Sequence, residues 1–175
     1  MIKAVFLDRD GTLNLSSIRS GVPVPPKEVY QVTIIDGVSK GIEIFKEKGY
    51  LPVIVTNQPD VARGKIKQSI VLEINEFICQ SLGIENVYTC FHDDSDECGC
   101  RKPKPGLLEL AASDLNIDLS KSIIVGDRWK DISAGQAVGC KPFYIESGYA
   151  ERKPDPPFTS VSSLLMAAIL ISEDE

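Results

Sequence analysis

Five short stretches of this chain are almost continuously apolar: KAVFLD (3–8), LPVIVTN (51–57), NVYTCF (86–91), SIIVGD (122–127) and KPFYI (141–145). A strand with one wet face alternates apolar and polar residues, whereas a strand covered on both faces does not, so these runs predict a parallel sheet buried between helices. The segments between them keep helical spacing: GVSKGIEIFKEKG (37–49), IKQSIVLEINEFICQSLG (66–83), PGLLELAASDLNI (105–117) and KDISAGQAVG (130–139). Gly49, Gly83 and Gly139 stand where helix-ending caps fall. The predicted fold class is α/β, a single doubly wound, Rossmann-like parallel sheet with helices on both faces. With 175 residues, 43% of them hydrophobic, the chain can bury one sizeable core, and one domain over 1–175 is expected. Residues 15–35 break the pattern, because Pro23, Pro25 and Pro26 forbid a helix there; they read as an excursion after the first strand. ERKPDPPF (151–158) reads as a Pro-rich connector before a last helix over 160–175 that frays into acid.

A formal net charge of −6 argues against a nucleic-acid binder, which needs a basic footprint on the phosphate backbone. No apolar run is long enough to span a bilayer, and the N-terminus reads as a first strand and not as a secretion signal. The expected setting is the cytoplasm, where clustered cysteines more often hold metal than form disulfides.

In an open α/β sheet the ligand sits beyond the carboxyl ends of the strands, so each strand is read for what its last residues offer. The first ends in Asp8-Arg9-Asp10-Gly11-Thr12. Two carboxylates at i and i+2 followed by a turn suit a divalent cation bound by oxygen, or a nucleophile with an acid beside it; an aspartate-rich surface turn has the same composition. The second ends in the uncharged donors Thr56-Asn57-Gln58. The fourth ends in Asp127-Arg128, with Asp131 one turn into the next helix, where it either orients its neighbours or simply complements the helix dipole. Before it comes the cationic turn Arg101-Lys102-Pro103-Lys104-Pro105-Gly106, leading into a helix N-terminus that favours an anion. Cation-binding carboxylates, neutral donors and fixed positive charge on one rim describe a phosphoryl-transfer site.

In this order the four segments resemble the haloacid dehalogenase superfamily of phosphohydrolases. The resemblance implies Asp8 as the nucleophile that takes up the phosphoryl group and Asp10 as the acid that protonates the leaving alcohol and later activates water. Thr56 and Lys102 would hold the phosphoryl oxygens, and Asp8, the backbone carbonyl of Asp10 and Asp127 would bind Mg2+. Elementary electrostatics agrees: a carboxylate is repelled by a dianionic phosphate until cations neutralise the pair.

CFHDDSDECGC (90–100) gathers three of the five cysteines and the only histidine. The pattern C-x-H-x5-C-x-C offers Cys90, His92, Cys98 and Cys100 as two close pairs, the ligand set that tetrahedral Zn2+ prefers; a disulfide or free thiols are the competing readings. Four ligands leave no open position, so such a site is structural, fixing the backbone that presents Arg101 and Lys102. Cys79 falls in an apolar helical pattern and reads as core; Cys140 has no expected role.

The metal loop narrows the resemblance to the branch that contains the D-glycero-D-manno-heptose-1,7-bisphosphate 7-phosphatases and histidinol-phosphatases, on FLDRDGTLN, TNQPDVARGK and CGCRKPKPGLL. It implies no large cap domain, with loops 15–35 and 90–104 enclosing a phosphorylated sugar. Asn57 and Gln58 would contact the substrate, and Arg101, Arg128 and Arg19 would meet a second phosphate. Pro59-Asp60 and the SSIRSGVPVPP loop depart from the branch's usual form, and Asp60 adds negative charge near the substrate path. A monomer is expected, and a binding protein that has lost catalysis is disfavoured by the presence of Asp10.

Overall fold

The structure, a computed structural model, describes residues 1–173. Six parallel strands form the central sheet in the order β5-β4-β1-β6-β7-β8: β1 (Lys3–Leu7), β4 (Tyr50–Asn57), β5 (Asn86–Cys90), β6 (Ile123–Gly126), β7 (Lys141–Ile145) and β8 (Thr159–Val161). Two further short strands, β2 (Ser17–Arg19) and β3 (Val22–Val24), make a separate antiparallel hairpin. The helices are α1 (Val38–Glu47), α2 (Gln68–Leu82), α3 (Gly106–Leu115), α4 (Trp129–Ala137) and α5 (Leu164–Glu173).

β1, β4 and β6 carry no polar alternation because both of their faces are dry. Val5 and Leu7 of β1, Ile54 of β4, and Ile123 and Val125 of β6 point into one core with Ile42 and Phe45 of α1, Ile74 and Ile78 of α2, and Ala167 and Ala168 of α5. Ala4 and Phe6, Val53 and Val55, and Ile124 point the other way, onto Leu107, Leu108 and Ala111 of α3 and Ala134 of α4. A one-residue slip in β1 would exchange its two cores. Burial of Phe6 alone, which is fully enclosed, contributes about 1.5–3 kcal/mol. Cys79 packs against the first core and Cys140 is buried in the second.

The helix stops follow the glycines. Gly83 caps α2 in the left-handed region, and Gly49 and Gly139 follow α1 and α4 with positive φ. Two expectations need correction. Residues 15–35 are not merely irregular: Ser17 pairs with Val24 and Arg19 with Val22, and Pro23 is tolerated because this two-stranded ribbon is all edge. The last helix starts at Leu164 and not at 160, because Thr159–Val161 joins the sheet beside β7, where β-branched residues suit the pleat. The acidic end expected to fray, Asp174 and Glu175, lies outside the described residues. Among residues 1–173 no inserted cap domain is present, and no helix is long and apolar enough to cross a membrane.

Candidate active site

Going from β1 outward, α1 and α2 cover one face and lead to β4 and β5, while α3 and α4 cover the other and lead to β6 and β7. The chain therefore changes direction between β1 and β6, and the crevice beyond their carboxyl ends is where such a sheet binds its ligand. Asp8 and Asp127 stand there, each one residue past its strand, with the Asp8 amide donating to the Val125 carbonyl at 3.1 Å.

Three carboxylates and one ammonium share this crevice. The ligand oxygens of Asp8, Asp127 and Asp131 lie within 4.8 Å of one another. Lys102, 1% exposed, places Nζ 2.6 Å from Asp8 Oδ1, 2.6 Å from Asp131 Oδ1 and 2.6 Å from the Val55 carbonyl. Burial works to lower the Lys102 pKa, but Asp131 and Asp8 outweigh it and hold it above its ordinary value. Burial and the Asp131 charge push Asp8 up to about 7 against the pull of Lys102, and burial with the Asp8 and Asp131 charges raises Asp127 well above the usual carboxylate range. One lysine is too little positive charge for three buried acids. Asp127 Oδ1 is buried with no hydrogen-bond partner, while Oδ2 accepts from the Tyr149 hydroxyl at 2.6 Å. An unmatched negative cluster of hard oxygens with one orphaned acceptor is what Mg2+ fits.

Local backbone makes this approach possible. A Cβ at Gly126 would sit 2.4 Å from that of Asp131, so only glycine lets the first turn of α4 close over the end of β6. Asp131 then works twice: Oδ2 accepts from the Arg128 amide at 3.0 Å, capping α4, while Oδ1 holds Lys102. Asn57 grips the Lys102 peptide with two hydrogen bonds, from its Nδ2 to the Lys102 carbonyl at 3.0 Å and from the Lys102 amide to its Oδ1 at 3.1 Å.

Asp10 is set by a different group. Its Oδ2 accepts from Arg9 Nη2 at 2.8 Å and Gln58 Nε2 at 2.7 Å, and Oδ1 accepts from Asn14 Nδ2 at 3.0 Å. Arg9 is fully buried and also donates to Asn75 Oδ1 at 2.8 Å; Asn75 in turn donates to Thr89. Gln58 further reaches Thr56 Oγ1 at 2.9 Å.

A cleft of about 410 Å³ opens over these groups. Asp8, Asp10, Thr56, Lys102 and Asp131 line it together with the hairpin residues Val22 and Pro23 and the cations Arg63, Lys65, Arg101, Arg128 and Lys130. Each of these cations has an acidic partner. Arg101 Nε is 2.7 Å and Lys130 Nζ 3.7 Å from Asp94 Oδ1, Arg128 Nη2 2.5 Å from Glu151, and Arg63 Nη2 2.5 Å from Asp93. Asp60 faces Arg63 and Lys65 at 3.5 and 3.8 Å, so its charge is locally offset.

The thiol loop borders the same cleft. Cys90, Cys98 and Cys100 sulfurs are 3.3, 3.5 and 3.7 Å apart pairwise, and His92 Nδ1 is 3.3 Å from Cys100 and 3.6 Å from Cys90. Sulfurs in a disulfide would be about 2.05 Å apart. Ligands at about 2.3 Å from a tetrahedral Zn2+ stand about 3.8 Å from one another, so these spacings fit the edges of that tetrahedron. All four ligand atoms converge, and the cluster could hold Zn2+. Cys100 leads directly into Arg101 and Lys102, and Lys104 Nζ bonds the Glu97 and Cys98 carbonyls, so the loop and the cationic turn form one piece.

Of the residues singled out in the sequence, the fold assembles Asp8, Asp10, Thr56, Asn57, Gln58, Arg101, Lys102, Arg128 and Asp131 around the cleft, with Asp127 beneath them. Arg19 is not brought there: it is exposed on the hairpin and lines a separate small hollow with Leu15, Pro25 and Lys27. Sequence reasoning missed Arg9, Asn14 and Asn75 behind Asp10, and Tyr149 and Glu151 beyond β7. Reading the end of β7 by the rule applied to the other strands would have found the last two.

The profile of the haloacid dehalogenase-like hydrolases matches residues 23–139. The chain is 35% identical to a D-glycero-beta-D-manno-heptose-1,7-bisphosphate 7-phosphatase of Haemophilus ducreyi, covering 93% of this chain and 96% of that one. It is 39% identical to the protein of the same name from Pasteurella multocida, over 81% and 79%. Among solved structures, the D,D-heptose 1,7-bisphosphate phosphatase of B. bronchiseptica, crystallised with magnesium and phosphate, superposes with a TM-score of 0.87 at 24% identity over 99% of this chain and 100% of that one.

Proposed function

The chain belongs to the haloacid dehalogenase-like hydrolases and is a phosphatase, and on that premise we propose that it removes the 7-phosphate of D-glycero-D-manno-heptose 1,7-bisphosphate through an aspartyl phosphate on Asp8. The observation that carries the reading is the Asp8 carboxylate, held at one oxygen by a dry lysine in a cleft that is also lined by several arginines and lysines.

In this reading the Asp8 oxygen not engaged by Lys102 attacks phosphorus. Lys102 and the Thr56 hydroxyl hold the phosphoryl oxygens, which lie next to Asp8 when the phosphate enters the cleft. Asp10 gives its proton to the leaving sugar oxygen, and afterwards takes one from the water that opens the aspartyl phosphate, so one hard step becomes two easier ones. Arg9, Gln58 and Asn14 aim that carboxyl. Asp8, the Asp10 carbonyl and Asp127 would hold Mg2+, which when bound supplies positive charge against the nucleophile and phosphate. The four thiol-loop ligands would hold Zn2+ and keep Lys102 in place.

The remote phosphate falls to the cleft's other cations. Arg101 is the main candidate, because its planar fork suits a phosphate and the adjoining loop fixes its backbone. Binding there exchanges the Asp94 contact for a phosphate contact. A thiol ligand set that must stay reduced supports the cytoplasm.

The test compares phosphate release from heptose 1,7-bisphosphate, histidinol phosphate and a small monophosphate. Arg101→Ala should raise KM for the bisphosphate roughly 10- to 100-fold, from about 1.5–3 kcal/mol per charge-assisted contact, with little change for the monophosphate. Faster hydrolysis of histidinol phosphate by the wild type would overturn the substrate assignment. Equal losses on both substrates would place Arg101 at the cleaved phosphate.

A further inference from the structure

We infer that Tyr149 is a positioning residue that makes Asp127 a one-oxygen ligand for the divalent cation. The inference rests on the magnesium assignment proposed above and adds to it a residue outside the strand-end motifs. An aspartate can meet a divalent cation through one oxygen or both. Asp127 is 0% exposed, and its two oxygens are unequal: Oδ2 accepts from the Tyr149 hydroxyl at 2.6 Å, whereas Oδ1 has no hydrogen-bond partner. The phenol thus occupies one oxygen and fixes the carboxylate torsion, leaving the unpartnered oxygen for the cation.

Tyr149 can do this because the strap 147–152 is tied down on both sides of it. Ser147 Oγ donates to the Asp127 carbonyl at 3.1 Å, and the Ala150 amide donates to Gly21 of the hairpin turn at 3.0 Å. Glu151 pairs with Arg128, and the Arg152 guanidinium lies 3.9 Å over the Trp129 ring. The nucleophile turn is shaped around the same hydrogen bond. Gly11 has φ +88°, and a Cβ there would fall 1.9 Å from Asp127 Oδ2 and 2.7 Å from the Tyr149 hydroxyl. Without the phenol, Oδ2 would be a second buried acceptor lacking a partner, free to turn into the cation site.

Calorimetric titration of Mg2+ into the full-length protein, with its thiol loop metal retained, tests this directly. Tyr149→Phe should weaken Mg2+ binding roughly 10- to 100-fold, the range for removing a hydrogen bond behind a ligand, and kcat should recover at high Mg2+. Arg152→Ala, which loosens the strap but keeps the phenol, should leave the Mg2+ constant within about twofold, well below the effect of losing a bond behind a ligand. Unchanged or tighter Mg2+ binding in Tyr149→Phe would overturn the inference while sparing the magnesium assignment. An equal shift in Arg152→Ala would also overturn it, since strap order and not the hydrogen bond would then set affinity. Absence of Mg2+ binding by the wild type would overturn both.

Discussion

Two ligand clusters stand side by side on the carboxyl rim of the sheet, and they differ in what they leave unsatisfied. The thiol loop brings four soft ligands to tetrahedral spacing with none left over. The carboxylate cluster brings three hard ligands, only partly neutralised by Lys102, with one oxygen of Asp127 unpartnered. A saturated site can only hold the chain in place, whereas an unsaturated one can accept substrate. Their join is the short turn from Cys100 to Lys102, so a metal held in the closed site would help fix the ammonium beside the open one.

The sharpest way to break this division is to remove the carboxylate proposed as nucleophile. Asp8→Asn should cut phosphate release by at least about 10³-fold, on the scale of losing a nucleophile elsewhere. Its melting temperature should not fall, because one of three crowded carboxylates is gone. Retention of most activity would mean that the carboxylate cluster is not the reacting site. Next in size is Lys102→Met. It leaves Asp8 and Asp131 buried without their counter-charge, which costs about 3–5 kcal/mol, measurable by denaturant unfolding, and activity should be lost with it. A variant as stable as the wild type would show that the crevice does not need the lysine to fold.

How much of this could be read in advance follows from where the determinants lie along the chain. The sheet was legible because β1, β4 and β6 are apolar on both faces, a property of each short segment on its own. β8 was not, since Thr159–Val161 is three residues long and becomes a strand only by lying next to β7. Asp8, Asp10, Thr56, Lys102 and Asp127 were legible because strand ends converge in this topology. Arg9 was hidden because its role depends on Asn75, 66 positions away, and Tyr149 because it lies four residues past the end of β7 and meets a partner from the neighbouring strand end, 22 positions back. The misplacement of Arg19 has the opposite cause: it sits near Asp8 in sequence, but the hairpin carries it outward.

Smaller effects should come from the closed cluster. Cys98→Ser should release the loop metal, lower the melting temperature and reduce turnover severalfold without abolishing it, because Lys102 keeps Asn57, Asp8 and Asp131 as anchors. Wild-type melting and turnover in this variant would detach the loop from the active site. The smallest signal is a thiol count. In the folded protein the three loop cysteines should resist alkylation until a chelator strips the metal, and Cys140, whose thiol burial pushes up to about 12, should resist in both states. Three loop thiols already reactive in native protein would contradict a closed metal site.

The account turns on a covalent bond to one oxygen of Asp8, and rapid acid quench during turnover followed by peptide mass spectrometry tests it most directly. With Mg2+ and substrate present, the phosphoryl group should appear on the peptide that carries Asp8 and vanish in Asp8→Asn. Phosphoryl on any other residue, or steady turnover with no labelled Asp8 at any time point, would contradict the mechanism.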